Sequence, residues 1–120
     1  MNKNIQMRLD TNHTLPAGSR LRLRLPHTGD RLALRDLLGR LGLTTTELEL
    51  GRVLRFDPTT HVVVCATIWN GGAETLVGLV AAPRAAAAPD LLLADEELTP
   101  GVGAALRQAT LQGPARRRAA

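Results

Sequence analysis

Residues 91–106 read LLLADEELTPGVGAAL. An apolar run, a short acidic stretch and a helix opening with glycine at 101 and 103 follow one another without a gap. Leu91, Leu92 and Leu93 have the composition of a buried strand. Thr99 before Pro100 is a helix-opening pair: the threonine side chain caps free N–H groups, and a proline at the first helical position gives up only a donor that would lack a partner anyway. A helix N-terminus carries unpaired N–H groups and roughly half a positive charge. With small residues at 101, 103, 104 and 105, a pyrophosphate can approach the backbone of Gly101, Val102, Gly103 and Ala104. The same glycines would also let a helix pack closely on a strand, and Gly-x-Gly alone does not separate the two uses.

Working back from this stretch, DLLLAD is the last of three apolar runs. HVVVCATIW (61–69) and ETLVGLVAA (74–82) flank Asn70, Gly71 and Gly72, a hairpin signal. PRAAAAP (83–89) links the second run to the third. Earlier, RLRLRL (20–25) alternates with period two, which places Leu21, Leu23 and Leu25 on one face and Arg20, Arg22 and Arg24 on the other. Between this strand and the hairpin, Leu34, Leu37, Leu38 and Leu41 have the spacing of an amphipathic helix, with Thr28 or Asp30 near its start and Gly42 at its stop. Thr44 and Glu47 suggest a capping box for a second, shorter helix carrying Leu50, Val53 and Leu54. The order β-α-α-β-β-β-α predicts an α+β fold, an antiparallel sheet with helices on its faces. Residues 1–19 read as a poorly ordered leader, 20–112 as the folded domain and 113–120 as a basic flexible tail.

Composition bounds the chemistry. A chain of 120 residues is one domain long and buries about two-thirds of its unfolded surface. Hydrophobic residues are 44% and aromatics 2% of it, so the core is built of Leu, Val and Ala, and with no Tyr a common general acid is missing. The net charge of +4 comes from arginines interspersed with acids, Lys3 being the only lysine, which does not point to nucleic acid. One cysteine, Cys65, gives neither a disulfide nor a thiolate metal site, and His13, His27 and His61 form no metal pair. No signal peptide and no membrane span is read, so a soluble cytoplasmic protein is expected.

Taken as a unit, LLLADEELTPGVGAALRQATL (91–111) resembles the signature of the GNAT superfamily of N-acetyltransferases. In that family a strand leads through an Arg/Gln-x-x-Gly-x-Gly/Ala loop into a helix whose N-terminus holds the pyrophosphate of acetyl-CoA. Gly101 and Gly103 match the small positions and Leu106 the core position after them. The element order over 20–112 is that of the family's N-terminal half. The resemblance implies an acyl-CoA site formed by Leu93, Ala94, Gly101, Val102, Gly103 and Ala104, and transfer of the acyl group to a small-molecule or peptide amine. Leu98 departs from the family's Arg or Gln, and Pro100 removes a donor. The strand that would form the second wall of the acyl site is not found after the helix. That implies completion by an assembly, and a homodimer through the edge strand 91–95 or the final helix is the expected partner arrangement. A non-catalytic self-associating or partner-binding module derived from the same fold is the alternative.

No residue is assigned as catalytic. Asp95, Glu96 and Glu97 are the carboxylates placed to take a proton from an amine, and such work requires a pKa raised by burial. In ADEEL just before a helix, the same residues suit a turn favoured by the helix dipole. Cys65 reads as a core residue, and Trp69 as a packing residue, a groove wall or a residue facing a partner. The Arg20, Arg22, Arg24 face reads as a solvated strand face or a contact for phosphate or an acidic partner.

Overall fold

The structure is a computed structural model, and it describes residues 11–15, 18–84 and 88–119. The elements are β1 (Thr11–Thr14), β2 (Arg20–Arg24), α1 (Arg31–Arg40), α2 (Glu47–Leu54), β3 (His61–Asn70), β4 (Ala73–Pro83), β5 (Leu91–Ala94) and α3 (Val102–Ala119). A single turn of 3₁₀ helix, Thr28–Asp30, precedes α1. The five strands form one antiparallel sheet in the order β1-β2-β3-β4-β5, so each strand pairs with its neighbours in sequence. The chain is therefore α+β, with the expected element order preceded by one further strand.

That strand, β1, lies inside the segment expected to be a poorly ordered leader. Thr11 pairs with Leu23 and Thr14 with Arg20. The turn closes with Leu15 N–H donating to the Ser19 carbonyl at 2.8 Å, and Leu15 is 6% exposed. Alternation of small polar residues signalled no strand, because one leucine supplies the hairpin's apolar contact with the core. The leader reading over 1–10 lies outside the described residues. At the other end, α3 continues past residue 112 to Ala119, through the stretch expected to be a flexible tail.

Helices cover both faces of the sheet. Val102 and Leu106 of α3 pack with Leu21 and Leu23 of β2, Val62, Val64 and Ala66 of β3, and Val77 and Val80 of β4. On the opposite face Leu34, Leu37 and Leu38 of α1 and Leu50 and Leu54 of α2 meet Val63, Cys65, Leu76, Leu79 and Leu93. Alternate strand residues thus feed two cores. The register slips between Ala66 and Thr67, where Ala66 faces Gly78 but Thr67 faces Leu76, leaving Val77 as the extra residue of a bulge. Gly78 sits beside that bulge where α3 crosses. A Cβ there would come within 2.7 Å of Leu106 Cδ1 and 3.0 Å of the Leu93 carbonyl.

Helix α1 ends in a Schellman closure: Leu43 N–H donates to the Leu38 carbonyl at 2.8 Å, with Gly42 at φ +73°. The capping box of α2 is Thr46 with Glu49, two residues beyond the expected Thr44 and Glu47. Both pairs have the same spacing, and the helix takes the one that brings Leu50 and Leu54 onto the sheet.

Strand order also decides the environment of Arg24. It was expected on a solvated face with Arg20 and Arg22, but it is 7% exposed and forms a bidentate pair with Asp30, at 2.9 and 2.7 Å. Its Nε and Nη2 also reach Glu74 at 3.2 and 3.3 Å, and Thr67 Oγ1 donates to Glu74 at 2.7 Å. A guanidinium so enclosed stays charged. Asp30's hydrogen bonds raise its pKa most, against the lowering effect of burial, with Glu74 adding to the rise.

Candidate functional site

The loop that joins β5 to α3 is built differently from a plain helix opening. Thr99 and Pro100 do not occupy the cap and first helical positions expected of them, because Gly101 takes φ +97° and the helix begins after it, at Val102. Only glycine adopts that conformation without strain. Residues 95–101 form a chain of turns, in which Thr99 N–H donates to the Asp95 carbonyl at 3.0 Å and Val102 N–H to the Thr99 carbonyl at 3.2 Å. Val102 is fully buried among the core residues facing α3.

This geometry aims two backbone donors at one point, and a carboxylate lies there. Gly101 N–H donates to Glu96 Oε1 at 2.8 Å, and Gly103 N–H to Glu96 Oε2 at 2.8 Å. Gly103 is buried, and a Cβ on it would stand 2.9 Å from that second oxygen. The helix N-terminus is therefore an anion cradle, as its dipole and free donors dictate, and the anion in it is the chain's own Glu96.

The residues expected to form an acyl-CoA site are brought together in part. Gly101 and Gly103 supply the convergent donors, and the N–H of Val102 is spent on Thr99. Ala104 is exposed on the first turn of α3, and Leu93 and Ala94 lie on β5, paired with Leu79 and Gly78. Leu93 is 4% exposed and points into the core beneath α1 and α2. Glu96, whose carboxylate fills the donor set, is itself solvent-exposed. Leu98, at the position where the resemblance has Arg or Gln, is 40% exposed and adds no charge to the loop.

Of the carboxylates considered for proton transfer, Asp95 is bound at 2.8 Å by Arg40 Nε, whose Nη2 also donates to the Leu76 carbonyl at 2.6 Å. Leu98 N–H donates to its other oxygen at 3.1 Å. The Arg40 hydrogen bond holds the Asp95 carboxyl below the usual carboxylate range, the opposite of what a base for an amine requires. Asp95 instead ties the end of α1 to the exit of β5. Glu96 is committed to the loop, and Glu97 is exposed. Thr99 Oγ1 is buried without a hydrogen-bond partner. Among the described residues no group of three or more His, Cys, Asp or Glu is placed to hold a metal, and no helix is long and apolar enough to cross a membrane.

Sequence reading found the donors and missed their occupant. The signal was present in the acidic stretch before a helix, where a carboxylate is favoured by the dipole, but the choice among three adjacent acids follows from the turns, which bend Glu96 back towards residues 101 and 103. Comparison with known proteins finds no match to a family model, to a curated protein or to a solved structure. What is shown is an α+β domain with a self-filled anion cradle at the strand-to-helix loop.

Proposed function

We propose that the chain is a GNAT-related acyl-CoA-binding domain in which the pyrophosphate of acetyl-CoA or another acyl-CoA competes with Glu96 for the loop at 101–103. The observation that carries the reading is the convergence of the Gly101 and Gly103 N–H groups on a single anion. From β2 to α3 the element order is the one on which the resemblance was drawn, and β1 is an addition before it. Gly101 and Gly103 bind the phosphate, Ala104 leaves room beside it, and the open edge of β5 at Leu93 and Ala94 takes the acyl arm. Binding rather than transfer is the supported activity, since Asp95 is held anionic by Arg40. Transfer to an amine acceptor would need a base supplied by an assembly.

Calorimetric titration of acetyl-CoA into three proteins tests the proposal. Removing the competing charge with Glu96→Gln tightens binding by up to about tenfold over the parent chain, because a charge-assisted contact no longer has to be displaced. Gly103→Glu abolishes it. Absence of heat with both the parent and Glu96→Gln, each folded by circular dichroism, refutes the reading.

A second reading rests on β5. This strand pairs with β4 alone, so its outer N–H and C=O groups meet no strand among the described residues. An apolar edge of this kind is a template for pairing with a second copy. A non-catalytic, self-associating module would sediment as a dimer with or without the cofactor, and a strict monomer at high concentration excludes it.

A further inference from the structure

At the opposite edge of the sheet from the loop, the face that α1 and α2 cover over β3, β4 and β5 is left open by the described residues over β1 and the Arg20–Arg22 end of β2. The register places Asn12, Arg22 and Thr67 in one row across β1, β2 and β3, and Thr14 beside Arg20 in the next. Trp69, two residues along β3 from Thr67, shares their face. Together with His13 these residues line a groove of about 480 Å³, within the range of about 300–1,000 Å³ typical of small-molecule sites.

Its chemistry is specific. Trp69 is the only tryptophan in the chain and is 67% exposed on a sheet whose other large side chains are mostly buried. Arg20 is exposed, and no partner for its guanidinium is found among the described residues. Arg22 is half-buried and 3.6 Å from Glu74, so the Glu74 charge is already balanced by Arg22 and Arg24. The groove therefore presents an aromatic face, a cation with no partner among the described residues, the hydroxyl of Thr14 and the amide of Asn12, while the Thr67 hydroxyl in its floor is taken by Glu74.

We propose that this groove binds a free nucleoside phosphate, with the base stacked on Trp69 and the phosphate held by Arg20. A planar ring answers the exposed indole, an anion answers the guanidinium, and the groove has room for one nucleotide rather than a run of them. The site is separate from the 101–103 loop and stands whether or not that loop takes a cofactor.

The lone tryptophan makes the test direct: its fluorescence, excited at the red edge away from nucleotide absorption, is followed as AMP, adenosine and inorganic phosphate are added to the full chain. Saturable quenching by AMP is expected, with adenosine and phosphate each weaker. Arg20→Glu weakens the AMP response about tenfold or more, whereas Gly103→Glu, which blocks the loop, leaves it unchanged. Trp69→Ala, followed by calorimetry, loses AMP binding while keeping the parent's melting temperature. Three results would each overturn the proposal: no saturable response at millimolar AMP, a response indifferent to Arg20→Glu, or tighter binding of a single-stranded oligonucleotide than of its mononucleotide.

Discussion

Replacing Asp30 by Asn probes the polar centre on which the β2 end of the sheet is built. Asp30 is 4% exposed and Arg24 7%, joined by bonds of 2.9 and 2.7 Å, and His27 N–H also donates to Asp30 at 2.9 Å. Asn keeps the shape but removes the charge and turns an amide donor towards a guanidinium that has only donors. Breaking a buried pair from one side costs about 3–5 kcal/mol. Arg24 retains Glu74, at 3.2 and 3.3 Å, which puts the expected loss near the lower end, about 3 kcal/mol. Against a domain stability of about 5–15 kcal/mol, that is a fall in melting temperature of roughly 10 °C. Urea unfolding at neutral pH, with the slope unchanged, measures it. Acid supplies an internal control. Burial raises the Asp30 and Glu74 pKa values, but the hydrogen bonds and charge of Arg24, with the His27 N–H on Asp30 and the Thr67 hydroxyl on Glu74, outweigh it, and both carboxyls titrate below their ordinary range. Groups lowered on folding contribute stability above their unfolded pKa, near pH ~4, and lose it as pH falls towards the folded value. The parent should therefore lose stability on acidification, and its advantage over Asp30→Asn should shrink as Asp30 itself becomes protonated. A loss below about 1 kcal/mol at neutral pH, the worth of an exposed pair, or a difference that grows in acid, would refute the reasoning.

Gly101→Ala meets no steric obstacle, the nearest atom to a Cβ being Leu15 Cδ2 at 3.9 Å, so its cost is that of φ +97° alone, about 1–2 kcal/mol by urea unfolding. Gly78→Ala is limited by space instead. Overpacking against Leu106 and the Leu93 carbonyl costs about 1–3 kcal/mol, and a double-mutant cycle with Leu106→Ala shows coupling, because that truncation removes the contact at 2.7 Å. Cys65 is fully buried, and burial pushes its thiol up to about 12. A thiol reagent at mildly alkaline pH labels it only as fast as the protein unfolds, and rapid labelling of the native chain would show that β3 is not enclosed as described.

Much of the fold was legible in the sequence, and the exceptions share a cause. Leucine spacing marked α1, and the Asn70, Gly71, Gly72 turn between β-branched runs marked the β3–β4 hairpin, because side-chain periodicity reports which face of an element is buried. Polar residues carry no such signal. Thr11–Thr14 gave no apolar alternation yet pairs along β2, and Arg24 had the period of a solvated residue yet is enclosed by Asp30, which lies six positions away and is brought there by the 3₁₀ turn. Even in β2 the alternation was correct for the backbone and silent about what covers each face.

The loop at 96–103 shows the same division at the candidate site. Sequence identified glycines that free a backbone for an anion or allow a close approach, and treated these as alternatives. In the structure they are one arrangement: Gly101 supplies the left-handed turn, and Gly103, lacking a Cβ, leaves the space in which Glu96 Oε2 accepts its N–H. A carboxylate tethered to the same chain acts at a high effective concentration, so an external phosphate displaces it only by bringing contacts that Glu96 lacks, which in the proposed function would come from the rest of an acyl-CoA. Capping by Glu96 thus sets the threshold a ligand has to exceed, and Glu96→Gln lowers that threshold without altering the donors.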